Sequence, residues 1–317
     1  MDQKLYCAAD IGGSKILLLL IDDNSRVLFR EKTKTPKPEE PAAVIEAVRT
    51  LLDKAYRDTG LKEGDRPEGV GVCIAGFLDH GRGLVYESPN LHWTEPVTFG
   101  KLMEDALGCP VIIENDANAA VVGEVFFGAA QGHRDVVYVT ISTGIGGGLF
   151  LDGRLYRGSS GFAGEIGHTK PFGQGRVCNC GGNNCLEIWA SGSAIARNAR
   201  LLWDENELDG GKITTAWVFE QADQGNTLAE NIIKQAIDDA GTGLSNLVNL
   251  FNPSCIVIGG GVAGNRSDYL GKVAARIKSE AIRPSVNITP LEVVPAQLEP
   301  EAGIWGMYAL LTGRVVD

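Results

Sequence analysis

The densest group of reactive side chains in the sequence lies between residues 168 and 185. It comprises one imidazole and three thiols: His168, Cys178, Cys180 and Cys185. Thiolates and a neutral imidazole are the ligands that a structural Zn²⁺ ion prefers, and it normally takes four of them. The pattern therefore predicts a zinc site. A disulfide with one spare thiol, or solvent-exposed reduced cysteines, are the alternatives.

Two glycine-rich turns have the composition of phosphate-binding loops. The first is DIGGSK at residues 10–15, and the second is STGIGGG at residues 142–148. Backbone N–H groups approach a phosphate closely only where no Cβ atom intervenes, which favours glycine. Neither turn has Rossmann or Walker spacing, and a tight hairpin without a ligand is the alternative for each. Two turns in matching positions, with a third glycine run at 259–261, favour phosphate binding.

A candidate catalytic carboxylate lies in ENDANAA, residues 114–120, where a predicted strand meets a predicted helix. Ligands bind at the ends of strands in open α/β sheets. Asp116 would be held rigidly there and could reach a substrate hydroxyl. The alternative is that Asp116 caps the helix, a common role for Asp. Asn115 and Asn118 could equally be turn residues.

The elements that must position these residues alternate along the chain, as the spacing of apolar side chains indicates. Strands are predicted at 5–9, 15–22, 27–33, 69–75, 110–114, 136–142, 149–155, 255–258 and 288–294, and helices at 42–58, 101–107, 116–127, 186–203, 227–251, 268–282 and 303–312. Residues 158–184 are predicted to be irregular. The predicted buried stripe of the helix at 227–251 is Ile232, Ile233, Ile237, Leu244, Leu247 and Leu250.

Two segments of the chain follow the same pattern. AADIGGSKILLLLIDD and VTISTGIGGGLFLDGR each contain a strand, a glycine turn, a second strand and an acidic turn. This weak repeat predicts a duplicated α/β domain.

The composition of the chain restricts the classes of function that it could have. A length of 317 residues with 44% apolar and 22% charged residues is typical of a globular protein of about two domains. A chain with a net charge of −11 is not expected to have the basic patch that nucleic-acid or anionic membrane binding needs. The longest apolar run, residues 16–21, is too short to span a bilayer, and the N-terminus does not have the pattern of a signal peptide. We expect a cytoplasmic protein, with Cys7, Cys73, Cys109 and Cys255 as reduced core residues.

Five motifs together resemble the ROK sugar kinases, which have the actin-like (hexokinase-like) ATPase fold. They are DIGGSK, SPNLHW at 88–93, ENDANAA, ISTGIGGG with AGEIGH at 163–168, and CNCGGNNCLE at 178–187. They occur in the family's order, from residue 10 to about residue 261. The resemblance implies two α/β domains around a cleft that closes on the sugar. Two departures are Ser14, where the family usually has Thr, and Asn184, where it usually has Gly; both are compatible with the motifs, since Asn tolerates left-handed backbone.

The resemblance also implies roles for individual residues. Asp116 would be the catalytic base, and Asp10 would lie near a Mg²⁺ ion. The residues implied at the sugar are Gly76, Asn90, Asn115, Asp116, Glu165, His168 and Glu187. The residues implied at ATP are Asp10, Gly12, Gly13, Ser14, Lys15, Thr143, Gly144, Gly146 and Gly147 at the phosphates, with Gly260 and Gly261 against the adenosine. His168 would bind zinc with one ring nitrogen and the sugar with the other.

The substrate implied by the resemblance is a hexose, with glucose favoured. Glu165 stands three residues before His168, where kinases for glucose and similar hexoses generally carry Glu and N-acetylmannosamine kinases tend to carry His. Fructose, mannose and N-acetylhexosamines are alternatives. Two other classes are a sugar-responsive ROK repressor, whose helix-turn-helix domain we do not expect in the nine residues before Asp10, and a sugar-binding protein without catalysis.

Domain boundaries and assembly are also expectations from the family. The small domain would comprise residues 1–118 and 301–317, and the large domain residues 119–300 with the zinc loop and the dimerisation surface. A homodimer is expected, with a homotetramer as the alternative, and a small-molecule sugar rather than nucleic acid or membrane as the partner.

Overall fold

The computed structural model describes residues 4–61, 66–172, 175–203, 212–264 and 266–315. The strands are β1 (Leu5–Ile11), β2 (Lys15–Asp22), β3 (Val27–Lys34), β4 (Gly69–Ile74), β5 (Phe77–Asp79), β6 (Leu84–Glu87), β7 (Val111–Asn115), β8 (Val136–Ile141), β9 (Ile145–Leu151), β10 (Arg154–Leu155), β11 (Cys255–Gly259) and β12 (Glu292–Pro295). The helices are α1 (Pro41–Thr59), α2 (Phe99–Leu107), α3 (Asp116–Phe127), α4 (Glu187–Ala190), α5 (Gly192–Arg200), α6 (Thr215–Asp223), α7 (Thr227–Phe251), α8 (Ser267–Glu280), α9 (Arg283–Asn287) and α10 (Ala302–Leu311). No helix in these ranges combines the length and the hydropathy that a membrane crossing needs.

Two five-stranded sheets share one topology. The first has the order β3-β2-β1-β4-β7 and the second the order β10-β9-β8-β11-β12. In the first sheet, β3, β2 and β1 form an antiparallel meander, and β4 and β7 are added in parallel beside β1. In the second sheet, β10 and β9 are antiparallel, and β11 and β12 are added in parallel beside β8. This repeated order agrees with the duplication that the two similar sequence segments predict. The predicted fold class is confirmed.

The chain divides into two compact units. The first comprises Met1–Gly132, Gly148–Ala163 and Pro300–Asp317, and the second His133–Gly147 and Gly164–Glu299. The C-terminal helix α10 thus belongs to the first unit, and α7 and the cysteine cluster belong to the second.

The apolar run of β2 is continuous because both faces of the first sheet are covered. Ile16, Leu18 and Leu20 belong to the core cluster that contains the buried side chains of α1. Leu17 and Leu19 point the other way, into the cluster that contains the α10 side chains. A strand buried on both faces loses the alternation of polar and apolar residues that a half-exposed strand shows.

Helices α3 and α10 pack against each other through glycine. A Cβ atom on Gly306 would lie 1.7 Å from the carbonyl oxygen of Ala119, and one on Gly123 would lie 2.1 Å from that of Ala302. Backbone therefore meets backbone at this contact. The small residues of α3 serve this close approach, which holds the ENDANAA segment against the end of the chain.

Several predicted element bounds were wrong for local reasons. The predicted strand at 288–294 begins only at Glu292, because α9 occupies 283–287 with Pro284 in its first turn. The predicted helix at 186–203 is interrupted at Ser191, whose hydroxyl caps α5 by accepting from the N–H of Ala194 (3.2 Å). Much of the predicted turn at 142–148 is strand, since β9 starts at Ile145.

Other differences concern burial and unpredicted elements. Leu250 is 73% exposed, unlike the other members of the predicted stripe of α7, and Cys109 is only half-buried. Strands β5 and β6 and helix α6 had no sequence signal strong enough to be predicted. The predicted irregular segment 158–184 contains one short 3₁₀ turn, Ile166–His168, and its residues 173–174 lie outside the described residues.

The α3–α10 contact is testable with Gly306→Ala. The added methyl group would force two backbones apart, so we expect a loss of about 2–3 kcal/mol in the free energy of unfolding. Gly271→Ala is the matched control, because Gly271 is an exposed residue of helix α8 with no atom within 4 Å of its Cβ position. It should stabilise by up to about 1 kcal/mol. Equal effects of the two variants in denaturant unfolding would contradict the packing described here.

Candidate active site

Asn115, rather than Asp116, caps helix α3. The Asn115 side-chain oxygen accepts from the N–H groups of Ala117 (2.9 Å) and Asn118 (3.2 Å). Asp116 is the first helical residue, and its carboxylate accepts a hydrogen bond from the N–H of Ala117 (2.9 Å). The alternative role of Asp116 as the helix cap is therefore wrong. Its exposed carboxylate is available for chemistry.

Two carboxylates interact at the carboxyl ends of β1 and β7. Burial and, to a smaller extent, the repulsion of Asp116 raise the pKa of Asp10 to about 6, while Lys15 acts in the opposite sense. The protein around Asp116 displaces water and raises its pKa as well, although its side chain reaches solvent. The buried Cys73 thiol lies 3.8 Å from an Asp10 carboxylate oxygen. A cation beside Asp10 would relieve this concentration of negative charge.

The first glycine turn is held by backbone and side-chain contacts within its own unit. The Gly12 N–H donates to the Lys15 carbonyl (3.0 Å), and the Thr35 hydroxyl donates to the Gly12 carbonyl (2.6 Å). A Cβ atom on Gly13 would lie 2.4 Å from the carbonyl oxygen of Asn90. The structure thus brings the first turn against the SPNLHW segment, with Ser14, Lys15 and Asn90 exposed.

Gly76 and Asn115 meet through a hydrogen bond. The Asn115 side-chain amide donates to the Gly76 carbonyl (3.1 Å). Gly76 has φ +146°, and a Cβ atom there would lie 2.3 Å from the carbonyl oxygen of Glu87, so the position requires glycine. Because both acceptor sites of the Asn115 amide oxygen are occupied by the cap, one N–H is what remains for a ligand.

The second glycine turn is tied to Glu187. The N–H of Ile145 donates to the Glu187 carboxylate (2.9 Å), and a Cβ atom on Gly144 would lie 2.3 Å from the same oxygen. Glu187, which the resemblance implies at the sugar, therefore also holds this turn. Its other oxygen has no donor within the described residues.

The later glycines of this turn serve packing as well. Gly146 and Gly147 lie in β9. A Cβ atom on Gly147 would lie 2.2 Å from the Ile166 side chain, so this glycine allows the strand to approach the AGEIGH segment. Thr143 and Gly144 remain the members of the predicted phosphate group that lie in the turn itself.

A cavity of about 630 Å³ in the second unit adjoins this turn. Its lining includes two members of the predicted nucleotide group, Thr143 and Gly261. Gly260 has φ +89°, and a Cβ atom there would lie 2.4 Å from the Ile141 carbonyl oxygen. The remaining lining residues are Ser142, Gly192, Ser193, Ala196, Arg200, Thr214, Thr215, Ala216, Phe219, Glu220, Val262 and Arg266.

The cysteine cluster is assembled as the sequence predicts. The four candidate ligand atoms of His168, Cys178, Cys180 and Cys185 all lie within 4.8 Å of one another. His168 Nδ1 is 3.8 Å from Cys178 Sγ, and the sulfurs of Cys180 and Cys185 are 3.6 Å apart. Ligands at about 2.3 Å (sulfur) and about 2.0 Å (nitrogen) from a tetrahedral Zn²⁺ would have similar separations. The residues therefore fit a zinc ion.

The thiols of this cluster have different surroundings. The backbone N–H of Gly182 lowers the pKa of Cys180, whereas burial raises the pKa of Cys185 to about 12. A divalent cation would hold both as thiolates.

The loop that carries the cysteines closes around Asn184. This residue has φ +60°, as predicted for an asparagine that replaces glycine. Its side-chain oxygen accepts from the N–H of Arg176 (3.1 Å), and its own N–H donates to the Arg176 carbonyl (2.9 Å). The expectation that the loop still closes is confirmed.

His168 connects the cluster to Glu165. With Nδ1 turned to the cysteines, the other ring nitrogen, Nε2, lies 3.8 Å from a Glu165 carboxylate oxygen. Both side chains are partly exposed, Glu165 at 43% and His168 at 30%. This is the arrangement expected of a histidine that bridges a metal loop and a polar ligand.

Sequence reasoning missed two groups of residues near the predicted site. One is the α6 wall of the cavity, including Thr215 and Phe219, because α6 itself was not predicted. The other is the pair Glu114 and Arg157, which are 43 positions apart and joined by a 2.7 Å ion pair. Nothing in the local sequence signals a partnership at that separation.

Comparison with known proteins identifies a family. The ROK family model matches residues 6–314. The chain is 33% identical to a glucokinase from Streptomyces coelicolor over 316 residues, which cover 95% of this chain and 96% of that protein. It also resembles the crystal structure of a ROK family glucokinase from Streptomyces griseus in complex with glucose and AMPPNP, with 35% identity, a TM-score of 0.75 and coverage of 96% and 98%.

A relative of a different class also matches. The chain is 28% identical to a xylose repressor from Caldicellulosiruptor bescii over 321 residues, which cover 97% of this chain and 78% of the repressor. Kinases and regulators are therefore both among the proteins that this chain is similar to.

The raised pKa of Asp10 predicts a pH-dependent effect of Asp10→Asn. The folded state disfavours the ionised carboxylate. Asp10 therefore lowers the free energy of unfolding as the pH rises from the ordinary Asp pKa of about 4 to about 6, fully above that range and not at all below it. Asp10→Asn should therefore stabilise the protein by about 1–2 kcal/mol at pH 8 and have little effect at pH 4. Asp105→Asn is the control, because Asp105 is an exposed residue of α2. A stabilisation independent of pH in urea unfolding would contradict the assignment.

Proposed function

The chain belongs to the ROK family, and we propose that it is an ATP-dependent hexose kinase that converts glucose to glucose 6-phosphate. The observation that carries this proposal is the surroundings of the Asp116 carboxylate. Asn115 caps α3 in its place, which leaves a carboxylate of raised pKa at the end of a parallel strand. The ROK relatives include a glucokinase.

Asp116 is proposed as the general base. Its carboxylate would take the proton from the sugar hydroxyl as the hydroxyl oxygen forms a bond to the γ-phosphorus of ATP. The bond from the γ-phosphorus to the bridging oxygen then breaks, and ADP leaves. A base works best when its pKa lies near the operating pH, and the loss of water around Asp116 moves its pKa in that direction.

The phosphates and adenosine of ATP are proposed to bind at the two glycine turns and the 630 Å³ cavity. Thr143 and Gly261 line that cavity, and a mononucleotide fits a space of this size. Asp10 would lie beside Mg²⁺, where its half-buried carboxylate would face a cation. Mg²⁺ would supply charge neutralisation for the phosphates.

Glucose is the proposed sugar because of Glu165. The contact between Glu165 and His168 Nε2 would present a carboxylate and an imidazole to neighbouring hydroxyl groups. Asn90, Glu187 and the remaining N–H of Asn115 are the other proposed donors and acceptors. Fructose, mannose or an N-acetylhexosamine is the alternative substrate.

Zinc is proposed at His168, Cys178, Cys180 and Cys185, on the distances given above. The ion would order a loop that has few apolar residues, since Cys178, Cys185 and Ile188 are the buried members of its small cluster. It would also fix the tautomer and direction of His168.

The homodimer expected from the family stays a prediction.

A sugar-responsive regulator is the second candidate, because the xylose repressor matches most of this chain. Salt-dependent retention on duplex DNA without ATP-dependent sugar consumption would favour it. ADP release that depends on a hexose would exclude it as the sole function.

Asp116→Asn tests the proposed base. We expect kcat for glucose to fall by at least about 10²–10⁴-fold, because a general base is lost, while the glucose dissociation constant from calorimetry stays within threefold. The assay is coupled ADP release across a panel of hexoses and amino sugars. Asp105→Asn, on the surface of the same unit, should leave kcat unchanged. Near-normal turnover by Asp116→Asn would refute the assignment.

Removal of zinc tests the proposed metal site. We expect about one zinc per chain by mass spectrometry and a rise in the KM for glucose after chelation, with the KM for ATP unchanged when Mg²⁺ is restored in excess. The physical reason is that His168 loses its fixed orientation. Cys185→Ser should reproduce the effect, and Cys109→Ser should not. An unchanged sugar KM in the zinc-free protein would argue against the coupling.

A further inference from the structure

A buried ion pair lies beside the β7–α3 junction in the first unit. The Glu114 side chain is 2% exposed and that of Arg157 is 15% exposed, and Arg157 Nε donates to Glu114 Oε2 at 2.7 Å. Glu114 is in β7, and Arg157 follows β10. Neither residue belongs to the proposed sugar, phosphate or zinc groups.

The other oxygen of Glu114 holds the residue before Asp116 and the residue two positions after it. Glu114 Oε1 accepts from the backbone N–H of Asn115 (2.9 Å) and from the side-chain amide of Asn118 (3.1 Å). One carboxylate therefore fixes the cap residue, the first turn of α3 and the segment after β10. The Asp116 carboxylate accepts a hydrogen bond from the N–H of its neighbour Ala117, so its direction depends on how Glu114 holds this backbone.

The hydrogen bond from the Asn118 amide to Glu114 leaves the amide oxygen of Asn118 without a partner in the part of the chain that the structure describes. Its side chain is 1% exposed, and its amide oxygen has no partner within the described residues. Turning the amide over would place its oxygen against the Glu114 carboxylate, which is repulsive, so the orientation is forced. A buried unpaired oxygen is unfavourable, and here it accompanies the bond that holds α3 to Glu114.

Stability alone does not account for the pair. The desolvation of two buried charges offsets most of their attraction, so a buried ion pair is weak evidence for stabilisation. The pair instead fixes the orientation of both side chains, because the Arg157 Nε–H direction and the Glu114 carboxylate plane restrict each other.

We propose that Glu114 and Arg157 are positioning residues for the general base, which hold the β7–α3 junction so that the Asp116 carboxylate keeps its catalytic direction. This proposal rests on the proposed function. It assigns a part in the reaction to two residues for which the resemblance implies no role, and it involves no contact with substrate.

The test compares Arg157→Lys and Glu114→Gln with the wild-type enzyme. Arg157→Lys keeps the charge and loses the planar donor. We expect kcat to fall by about 10- to 100-fold, the cost of a misplaced reacting group, with the KM for ATP within twofold. The double variant should lose no more than the worse single variant, because the two residues act as a unit.

The pH profile separates positioning from folding. Loosening the junction admits water to Asp116, which lowers its raised pKa, so the acid limb of kcat should move to lower pH. Asp10 on β1 and Cys73 on β4 are the titratable groups that face Asp116, and neither is changed. In the Asp116→Asn background, Arg157→Lys should cause no further loss of kcat.

Glu124→Gln is the matched control, since Glu124 is a fully buried carboxylate in the same helix whose oxygen accepts from the N–H of Ala129 (2.7 Å). It should lower the melting temperature and leave kcat and the acid limb unchanged. The proposal is overturned if Arg157→Lys and Glu114→Gln behave as this control does, or if Arg157→Lys lowers kcat further in the Asp116→Asn background.

Failure of the proposed function gives a different result. If the wild-type protein phosphorylates no hexose, the kinase assignment fails, and the positioning proposal is then judged by carboxyl ¹³C NMR. The pKa of Asp116 should fall in Arg157→Lys, and an unchanged value would overturn it. An active wild type with unaffected variants would overturn the positioning proposal alone.

Discussion

The capping of α3 by Asn115 is the interaction on which the candidate site depends. Helix N-termini need acceptors for their free N–H groups, and an Asp at the start of a helix commonly serves that need. Here the amide oxygen of the preceding residue takes both bonds. The Asp116 carboxylate is therefore not needed as the helix cap, although it still accepts a hydrogen bond from the N–H of Ala117. The proposed chemistry follows because Asn115 caps the helix and Asp116, the next residue, is left to act as the proposed base.

Glycine has two different uses in this chain. At Gly306 and Gly123 it lets two helix backbones touch, and at Gly13, Gly144 and Gly147 it lets a turn or strand approach another segment. Glycine-rich sequence at a candidate phosphate turn is thus explained in part by packing within the protein. The phosphate proposal rests on the turn geometry and the adjoining cavity rather than on glycine content.

The second unit combines a nucleotide-sized cavity with a cluster of four metal-ligand side chains. Glu187 holds the glycine turn through Ile145, and its backbone follows directly from the cysteine loop. His168 joins the same loop to Glu165. A change in the metal loop therefore has short covalent and hydrogen-bonded routes to both the turn and the proposed sugar ligands.

The sequence alone determined the duplicated α/β pattern, the four cysteine-cluster residues and the strand–helix position of Asp116, and the resemblance of its motifs to the ROK kinases implied the fold class. The patterns are short-range, since apolar periodicity, turn chemistry and ligand spacing are all expressed within a few residues. Only the tertiary structure decided that Asn115 caps the helix, that Glu187 holds a turn, that α6 walls the cavity, and that Arg157 meets Glu114. Those outcomes depend on which of several possible hydrogen-bond partners folding brings within about 3 Å, and residues 43 positions apart leave no local pattern from which that could be read.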